Sequence, residues 1–391
     1  SIADNSGLAS NYTLTGGTHQ LTVNQRPLNA TLARQYDGTT TSAGSTLSSF
    51  DALQGGETLT LSGSGTAASA NVANGIAMGS NGDLGLVDGT GLASNYSLNS
   101  TVINIAKRVL NSSGSKIYDA NTNALAGAIT LSNLVSGEAL NHSGTATISS
   151  ANAGSYTISN LTGITIADGS GGAASNYTLT GGTHNFTVNP KVVSIQGNKT
   201  YDGNTTISSS DITSITGTVG SETLVMSSGT GTTSSQNAAT YASAGINEGS
   251  LTLGNGSNGG LAANYTLTGH AASSFQINQR VLSSSGTRTY NGTTTAASSD
   301  LTLSNLVGSE TLTLSGNGTL ADANVATNKT VTLNTLTLSD NSGLAANYTL
   351  TGGTHQLTIT QKAVNTSGTR NYDSTTVVGS GTLTVSGEVS S

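Results

Sequence analysis

The feature that most constrains the fold of this chain is an internal repeat. The string Asn-Tyr-Thr-Leu, written Asn-Tyr-Ser-Leu in one copy, recurs at intervals of 84, 81, 88 and 83 residues. A second string, Tyr-Asp-Gly and its variants, recurs at intervals of 82, 83, 89 and 82 residues. Because two separate landmarks share a period of about 84 residues, we infer tandem duplication of one structural unit.

The length of the period selects the kind of unit. About 84 residues is too long for one coil of a solenoid and suits a small β-sandwich of about seven strands. Apolar and hydroxyl residues alternate over residues 310–315, 330–338 and 355–360, and Gly- and Asn-rich clusters separate these runs. We therefore predict an all-β chain, a tandem array of Ig-like β-sandwich domains forming an elongated rod.

The unit boundaries are predicted from the end of each last strand. We expect residues 1–25 to be the C-terminal strands of a truncated repeat and residues 362–391 to be the N-terminal strands of another. Four complete repeats are expected between them, at residues 26–106, 107–190, 191–279 and 280–361. No Gly/Ser linker separates the repeats, so neighbouring repeats are the first expected partners, in a semi-rigid rod on the order of 150 Å long.

Composition narrows the function classes. Only 4% of the residues are aromatic and there is no Trp, which favours several small cores over one large core. Only 8% are charged and the net charge is −7, so neither nucleic-acid binding nor attachment to anionic lipid is expected. No apolar run approaches the length of a spanning helix, and membrane insertion of this segment is not expected. The absence of Cys excludes disulfides, thiolate zinc sites and a cysteine nucleophile.

The Tyr-Asp motif has the composition of a turn. Asp and Asn tolerate left-handed backbone and the following Gly supplies a positive φ angle. One copy replaces Asp by Asn, a change that turn chemistry permits and that a catalytic carboxylate would not survive. The five copies are Tyr36-Asp37, Tyr118-Asp119, Tyr201-Asp202, Tyr290-Asn291 and Tyr372-Asp373.

Basic residues follow the same register. One lies at each repeat junction, at Arg26, Arg108, Lys191, Arg280 and Lys362. A second lies eight residues later, at Arg34, Lys116, Lys199, Arg288 and Arg370. We expect the aliphatic stem of each second residue to pack on the motif tyrosine and its charge to bind a carboxylate or carbonyl across the junction. The alternative is a periodic cationic site for acidic glycans.

Acidic residues and histidines also recur. We expect the glutamates to cap a strand edge or to pair with the basic residues; they are Glu57, Glu138, Glu222, Glu310 and Glu388. Four aspartates each offer calcium one carboxylate, which favours an Asx turn over a metal site; they are Asp4, Asp88, Asp168 and Asp340. His19, His184 and His355 are expected in solvent-facing turns. We expect no catalytic residue and no cofactor, and a hydrolase is only a remote alternative.

The repeat motifs resemble a known family. Tyr-Asp-Gly-Thr-Thr near the start of a unit, with Ala-Asn-Tyr-Thr-Leu near its end, is similar to the YDG-type repeats of large bacterial exoproteins, including filamentous-haemagglutinin-like adhesins. The resemblance extends over essentially the whole chain. It implies export to the cell surface or the medium and a role in a stalk or fibre.

The leading hypothesis for function is therefore a structural stalk or fibre segment of a secreted or cell-surface bacterial adhesin. Repetition lengthens the stalk and multiplies weak contacts. One alternative is a module that binds glycans, or ice, at every repeat. Another is a subunit that self-associates laterally into an extracellular filament or sheath.

Overall fold

The computed structural model describes residues 1–389 and is nearly all-β, with 47% of the residues in strands. The all-β prediction is confirmed at this level. Within residues 1–389 the helical elements are 3-10 turns of three residues each. These turns are Ala9–Asn11, Gly44–Thr46, Ala93–Asn95, Ala126–Ala128, Ala174–Asn176, Ser209–Asp211, Ser243–Gly245, Ala262–Asn264, Ser298–Asp300, Ala345–Asn347 and Ser380–Thr382. Residues 390 and 391 of the last predicted segment lie outside the described residues.

Residues 26–106 contain eight strands. They are β1 (Arg26–Gln35), β2 (Thr41–Ala43), β3 (Leu47–Phe50), β4 (Leu59–Ser62), β5 (Ser64–Ala67), β6 (Ala73–Ser80), β7 (Gly85–Asp88) and β8 (Tyr96–Ala106). Six of them form one sheet in the order β2-β5-β6-β8-β1-β3, and β4 pairs with β7.

Residues 107–190 contain nine strands. They are β9 (Arg108–Val109), β10 (Asn111–Ile117), β11 (Asn123–Leu125), β12 (Ile129–Ser132), β13 (Leu140–Ile148), β14 (Gly154–Asn160), β15 (Ile164–Asp168), β16 (Tyr177–Thr178) and β17 (His184–Asn189). The sheet order is β11-β13-β14-β17-β10-β12, with β15 paired to β13, and β9 pairs with β16.

Residues 191–279 contain eleven strands. They are β18 (Lys191–Val192), β19 (Ser194–Thr200), β20 (Thr206–Ser208), β21 (Ile212–Thr216), β22 (Leu224–Ser228), β23 (Thr230–Thr233), β24 (Ala239–Ala242), β25 (Ile246–Asn247), β26 (Thr252–Asn255), β27 (Tyr265–Thr266) and β28 (Ser274–Asn278). The sheets have the orders β21-β19-β28-β24 and β20-β23-β25, with the pairs β22-β26 and β18-β27.

Residues 280–361 contain ten strands, and two more follow. The ten are β29 (Arg280–Val281), β30 (Ser283–Thr289), β31 (Thr295–Ala297), β32 (Thr302–Ser304), β33 (Leu312–Ser315), β34 (Asn317–Thr319), β35 (Ala326–Thr330), β36 (Thr337–Asp340), β37 (Tyr348–Thr349) and β38 (His355–Thr360). Their sheets are β32-β30-β38-β35, β31-β34, β33-β36 and β29-β37. The last two strands, β39 (Asn365–Ser367) and β40 (Thr384–Ser386), pair antiparallel.

The first long strand of a repeat pairs in parallel with the last strand of the same repeat. β1 lies parallel beside β8, β19 beside β28, and β30 beside β38. Parallel neighbours need a long crossover connection, and here the rest of the repeat provides it. The first long strand of such a repeat therefore lies between the last strand and an antiparallel neighbour, which is β3, β21 or β32. Buried side chains of these strands, among them Leu32, Ile103 and Leu357 at 0% exposure, belong to the hydrophobic core.

The contacts divide the chain into two compact units. One comprises residues 1–116 and 121–188, and the other comprises residues 117–120 and 189–389. Residues 117–120 carry the second Tyr-Asp motif, and they belong to the unit formed by the residues after it rather than before it. Tyr118 explains this assignment, because its hydroxyl donates a hydrogen bond to Glu222 of the second unit.

Candidate functional site

The Tyr-Asp motif forms a tight turn directly after the first long strand of a repeat. The Asp37 carboxylate accepts a hydrogen bond from the Thr39 backbone N–H at 2.9 Å. Gly38 between them has a φ angle of 79°, in the left-handed region that glycine occupies without strain. The copies that lack glycine adopt the same backbone, with φ of 63° at Ala120 and 59° at Ser374. The turn is therefore a property of the motif rather than of glycine alone.

The second basic residue closes the loop of its own motif. Lys199 is buried, and its ammonium donates to Asp202 Oδ1 at 2.9 Å and to the Asn204 carbonyl at 2.8 Å. The expectation that this charge reaches across a junction is wrong, because oxygens of its own loop, from Asp202, Asn204 and Thr206, bind it. The other loops are closed by Arg34 to Asp37, Lys116 to Asn121, Arg288 to Thr293 and Arg370 to Asp373.

The motif tyrosine points away from its own loop to a glutamate about 100 residues further along the chain. Tyr36 donates its hydroxyl hydrogen to Glu138 Oε1 at 2.5 Å, and Tyr177 donates to the other oxygen, Oε2, at 2.5 Å. We call each such group a Tyr–Glu–Tyr cluster. The three clusters are Tyr36/Glu138/Tyr177, Tyr118/Glu222/Tyr265 and Tyr201/Glu310/Tyr348, with hydroxyl–carboxylate distances of 2.5 to 2.8 Å.

A local turn positions the glutamate and the second tyrosine together. The Glu138 N–H donates to the Val135 carbonyl at 3.0 Å, so the chain reverses before the carboxylate. The Val135 N–H in turn donates to the Tyr177 hydroxyl oxygen at 3.1 Å. The same two bonds recur around Val219 and Val307 in the other clusters. Each second tyrosine hydroxyl therefore has both a donor and an acceptor.

The two tyrosine rings of a cluster meet edge to face. Their centroids lie 5.3 to 5.4 Å apart, with interplanar angles of 77° to 78° in all three clusters. This arrangement is preferred because the positive edge of one ring meets the negative face of the other. The six tyrosines are between 1% and 5% exposed. Each cluster is thus a small core that combines apolar area with two hydrogen bonds to a carboxylate.

Burial and the carboxylate keep these tyrosines protonated. Burial first, and the hydrogen bond to Glu138 second, raise the pKa of Tyr177 to about 12. The same two causes, with the glutamates of their own clusters, raise the pKa of Tyr118, Tyr201 and Tyr265 to about 12 and also raise the pKa of Tyr36 and Tyr348. Hydrogen bonds to a charged group contribute about 1.5 to 3 kcal/mol each.

The asparagine of the Asn-Tyr motif adds a second connection beside the cluster. Asn176 is 1% exposed, and its Oδ1 accepts a hydrogen bond from the Val72 N–H at 2.9 Å. Its Nδ2 donates to Asn71 Oδ1 at 2.9 Å. Asn347 makes the same two bonds, to the Ala238 N–H and to Asn237. Both recurring sequence motifs therefore contribute to one contact between distant parts of the chain.

Two arginines at repeat junctions, Arg108 and Arg280, bind the backbone of the preceding motif tyrosine. The Arg108 guanidinium donates to the carbonyl and side-chain oxygens of Asn133 at 2.6 and 2.8 Å and to the Tyr36 carbonyl at 3.4 Å. Arg280 binds Asn305 and the Tyr201 carbonyl in the same way. These two arginines contact the preceding motif, whereas Arg26 donates to Gln54.

The comparison with family models identifies the repeat. The model of the YDG domain matches residues 17–103, 106–186 and 276–356, well over half of the chain. The chain belongs to the YDG domain family. No curated protein matches it significantly. Within residues 1–389, no helix is both long and apolar enough to cross a membrane.

The glutamates of these YDG repeats do not do what the sequence predicted. Glu138, Glu222 and Glu310 pair with tyrosine hydroxyls rather than with the basic residues. Glu388 does not occupy the position of these three glutamates. The residue next to it, Val389, contacts the YDG-type turn instead, with its Cγ1 2.7 Å from an ideal Cβ on Gly292. A sequence signal was present, since each glutamate is followed by an Asn-Tyr tyrosine 38 to 43 residues later.

Two other predicted features of the YDG repeats have defined partners. The candidate calcium ligands Asp88, Asp168 and Asp340 each accept a backbone N–H five or six residues later at 2.7 Å, and Asp4 does so at 2.5 Å. Asn255 makes the same contact without a charge. Within residues 1–389, no group of three or more acidic or histidine side chains is placed to hold a metal ion.

The expectation that the turn histidines face solvent is wrong for two of the three. His184 and His355 are 8% and 5% exposed. His355 lies 2.9 Å from both the Ser284 hydroxyl, through Nδ1, and the Leu350 carbonyl, through Nε2. Since a carbonyl only accepts, Nε2 carries a proton, and in the neutral ring Nδ1 accepts from the serine. His19 alone is exposed.

Proposed function

We propose that this chain is a structural stalk or fibre segment of a secreted or cell-surface bacterial adhesin. In this proposal residues 26–106, 107–190, 191–279 and 280–361 are consecutive Ig-like sandwich domains, with parts of two more at residues 1–25 and 362–391. The observation that carries the proposal is the hydrogen bond from Tyr36 to Glu138, repeated in the other two clusters.

Two of the clusters join consecutive repeats within a single compact unit: Tyr36/Glu138/Tyr177 in the first unit and Tyr201/Glu310/Tyr348 in the second. A flexible linker would let neighbouring domains swivel, whereas these hydroxyl–carboxylate bonds would hold the two repeats of a unit together. Tension along the stalk would have to expose two buried tyrosines and a carboxylate before the domains could separate. This explains why the tyrosine, rather than only the turn that carries it, recurs in the YDG motif.

Features of the sequence support the proposed cellular context. The motifs resemble the YDG-type repeats of bacterial adhesins, and the chain has no Cys and few charges. A stalk needs neither a catalytic residue nor a cofactor. Such a segment would supply reach, and many repeats would multiply weak contacts with surface glycans.

Small-angle scattering of the chain tests the stalk proposal. A compact globule of this length would have a radius of gyration of about 21 Å. A rod on the order of 150 Å long would have one of roughly 40 Å. A value near that of the globule would contradict the proposal.

A polar groove favours glycan binding as a second candidate function. The exposed face of the β21-β19-β28-β24 sheet carries a groove of about 460 Å³ lined by uncharged amides and hydroxyls. Its amides are Gln196, Asn198, Gln276 and Asn278. Amides both donate and accept, as paired sugar hydroxyls require. Loss of neutral glycan binding in Gln276→Ala, but not in Gln356→Ala on β38 of the next repeat, would support this function, and equal binding by both variants would contradict it.

A further inference from the structure

The two tyrosine rings of each Tyr–Glu–Tyr cluster converge at their hydroxyl ends. An edge-to-face pair with centroids 5.3 to 5.4 Å apart brings carbon atoms of the two rings to about 3.5 to 4 Å. Because both hydroxyls of a pair bind one carboxylate, the ortho carbons beside those hydroxyls lie on the side where the rings converge. The ring–ring contacts found within residues 1–389 are the three pairs Tyr36/Tyr177, Tyr118/Tyr265 and Tyr201/Tyr348.

The shared carboxylate is positioned to accept a proton from either ring. Tyr36 and Tyr177 donate to Oε1 and Oε2 of Glu138, each at 2.5 Å. The corresponding distances in the other two clusters are 2.6 to 2.8 Å. A phenol that loses an electron becomes a strong acid, so a base already in hydrogen-bond contact takes its proton as the electron leaves. Each cluster therefore combines two oxidisable rings with the base that their oxidation requires.

The burial of the cluster favours coupling of the two rings over other reactions. The six tyrosines are 1% to 5% exposed, so a radical on one of them is shielded from solutes and has the other ring as its neighbour. The glutamates are less buried than the tyrosines. A proton on the carboxylate can therefore pass to water while the rings stay in contact. The three half-buried glutamates are Glu138, Glu222 and Glu310.

We propose that each Tyr–Glu–Tyr cluster is a site of oxidative cross-linking, at which a one-electron oxidant converts the two tyrosines into a dityrosine. The oxidant removes one electron from each ring, and each hydroxyl proton passes through the carboxylate to water. The two phenoxyl radicals then form a carbon–carbon bond between their ortho carbons. Each of these carbons loses its hydrogen as a proton, and each phenolic oxygen regains one. The cluster thus loses two electrons and two protons, and the oxidant gains the two electrons.

The cross-link would join distant parts of the chain covalently. The two tyrosines of a pair lie about 140 residues apart in the sequence, so the bond closes a long loop and restricts the unfolded chain. The chain has no Cys and cannot make such a connection with a disulfide. The proposal goes beyond the stalk function and rests on the geometry of the clusters alone, so a failure to cross-link would leave the stalk proposal intact.

Oxidation of the full chain followed by peptide mapping tests the proposal. The chain is kept at about 1 µM, where coupling within one molecule exceeds coupling between molecules. Illuminated tris(bipyridine)ruthenium is the one-electron oxidant, with persulfate as the final electron acceptor. We expect the blue fluorescence of dityrosine in the monomeric fraction. Trypsin should release peptides 35–107 and 117–191 joined together, with the mass of two hydrogen atoms missing, as the product of the first cluster.

Two substitutions in the first cluster separate its parts. Tyr36→Phe keeps the ring and removes the hydroxyl, so this pair of peptides should no longer be joined. Glu138→Gln keeps a carbonyl oxygen near the rings and removes the base, so cross-linking of this cluster should slow at least about tenfold. The other two clusters of each variant should react as before, which, together with circular dichroism, shows that the variant is folded.

Matched controls are Tyr12→Phe and Glu388→Gln, at exposed positions outside the clusters. Both should cross-link like the unmodified chain. Modification of the exposed Tyr12 and Tyr372 without any joining of peptides 35–107 and 117–191 would overturn the proposal. So would joined peptides in Tyr36→Phe, or an unchanged rate of joining in folded Glu138→Gln.

Discussion

The Tyr36 hydroxyl donates a hydrogen bond to Glu138, which lies 102 residues further along the chain. The recurring tyrosine of the YDG motif is therefore a contact between distant parts of the chain, and the turn that follows it positions that contact. The predictions below test the parts of this contact one at a time.

Glu310→Ala should lower the free energy of unfolding by about 2 to 5 kcal/mol, because it leaves the buried hydroxyls of Tyr201 and Tyr348 without their acceptor. Urea unfolding followed by circular dichroism measures the effect. The matched control is Glu388→Ala, at an exposed position, which should change stability by less than about 0.5 kcal/mol. Equal effects of the two substitutions would show that the cluster carries no special stability.

The chain should lose stability between about pH 10 and pH 12. The pKa of Tyr118, Tyr177, Tyr201 and Tyr265 is raised from 10.0 to about 12 in the folded chain. Below pH 10 these tyrosines are protonated in both states, so their contribution is fully present. Above it the unfolded chain ionises first, and stability falls until the folded pKa is passed.

Ultraviolet absorbance of tyrosinate, recorded with circular dichroism during the same titration, checks this prediction. The late-ionising tyrosines should titrate together with the loss of β structure. Complete ionisation of all twelve tyrosines while the β signal is unchanged would contradict the buried hydrogen bonds.

Gly203→Ala should destabilise the chain by about 2 to 3 kcal/mol, from left-handed strain and from contact with Val307. Gly269→Ala is the matched control: its φ angle of 83° is similar, but no atom lies within 4 Å of its ideal Cβ, so only the strain term remains. Val307→Ala should recover the difference between the two in a double-mutant cycle. Equal costs at Gly203 and Gly269, measured by urea unfolding, would mean that the valine contact is unimportant.

His355→Ala should cost about 2 to 4 kcal/mol, because it removes a buried ring and leaves the Ser284 hydroxyl and the Leu350 carbonyl without a partner. His19→Ala changes the same position of the sequence motif at an exposed site and should cost less than about 0.5 kcal/mol. Thermal unfolding of both variants distinguishes burial from sequence motif as the cause. A large effect at His19 would contradict the difference in burial.

Local features of this chain were predictable from its sequence because they depend on neighbouring residues. Alternation predicted strands such as Glu310–Ser315, of which Leu312–Ser315 forms β33, and the Tyr-Asp string has the backbone of a turn. The parallel pairing of β1 with β8 could not be predicted in this way, because it joins strands separated by most of a repeat.

The candidate site was only half predictable for the same reason. The residues of the cluster all belong to recurring positions, yet nothing local to Glu138 indicates that its partners are two tyrosine hydroxyls rather than the nearby cations. Oxygens of the motif loops bind these cations, as at Lys199, so that the cations do not pair with the glutamates. The burial of His355 depends on β30, which lies about 70 residues earlier.

The most direct test of the stalk account is the distance between spin labels on either side of one cluster. The chain has no Cys, so Ser49→Cys and Thr130→Cys, both at exposed positions, provide two unique labels around Tyr36 and Glu138. Double electron–electron resonance should give a narrow distance distribution that broadens when Glu138 is replaced by Ala. A broad distribution in the unmodified chain, or a narrow one that the replacement leaves unchanged, would contradict the claim that the Tyr–Glu–Tyr cluster fixes one repeat on the next.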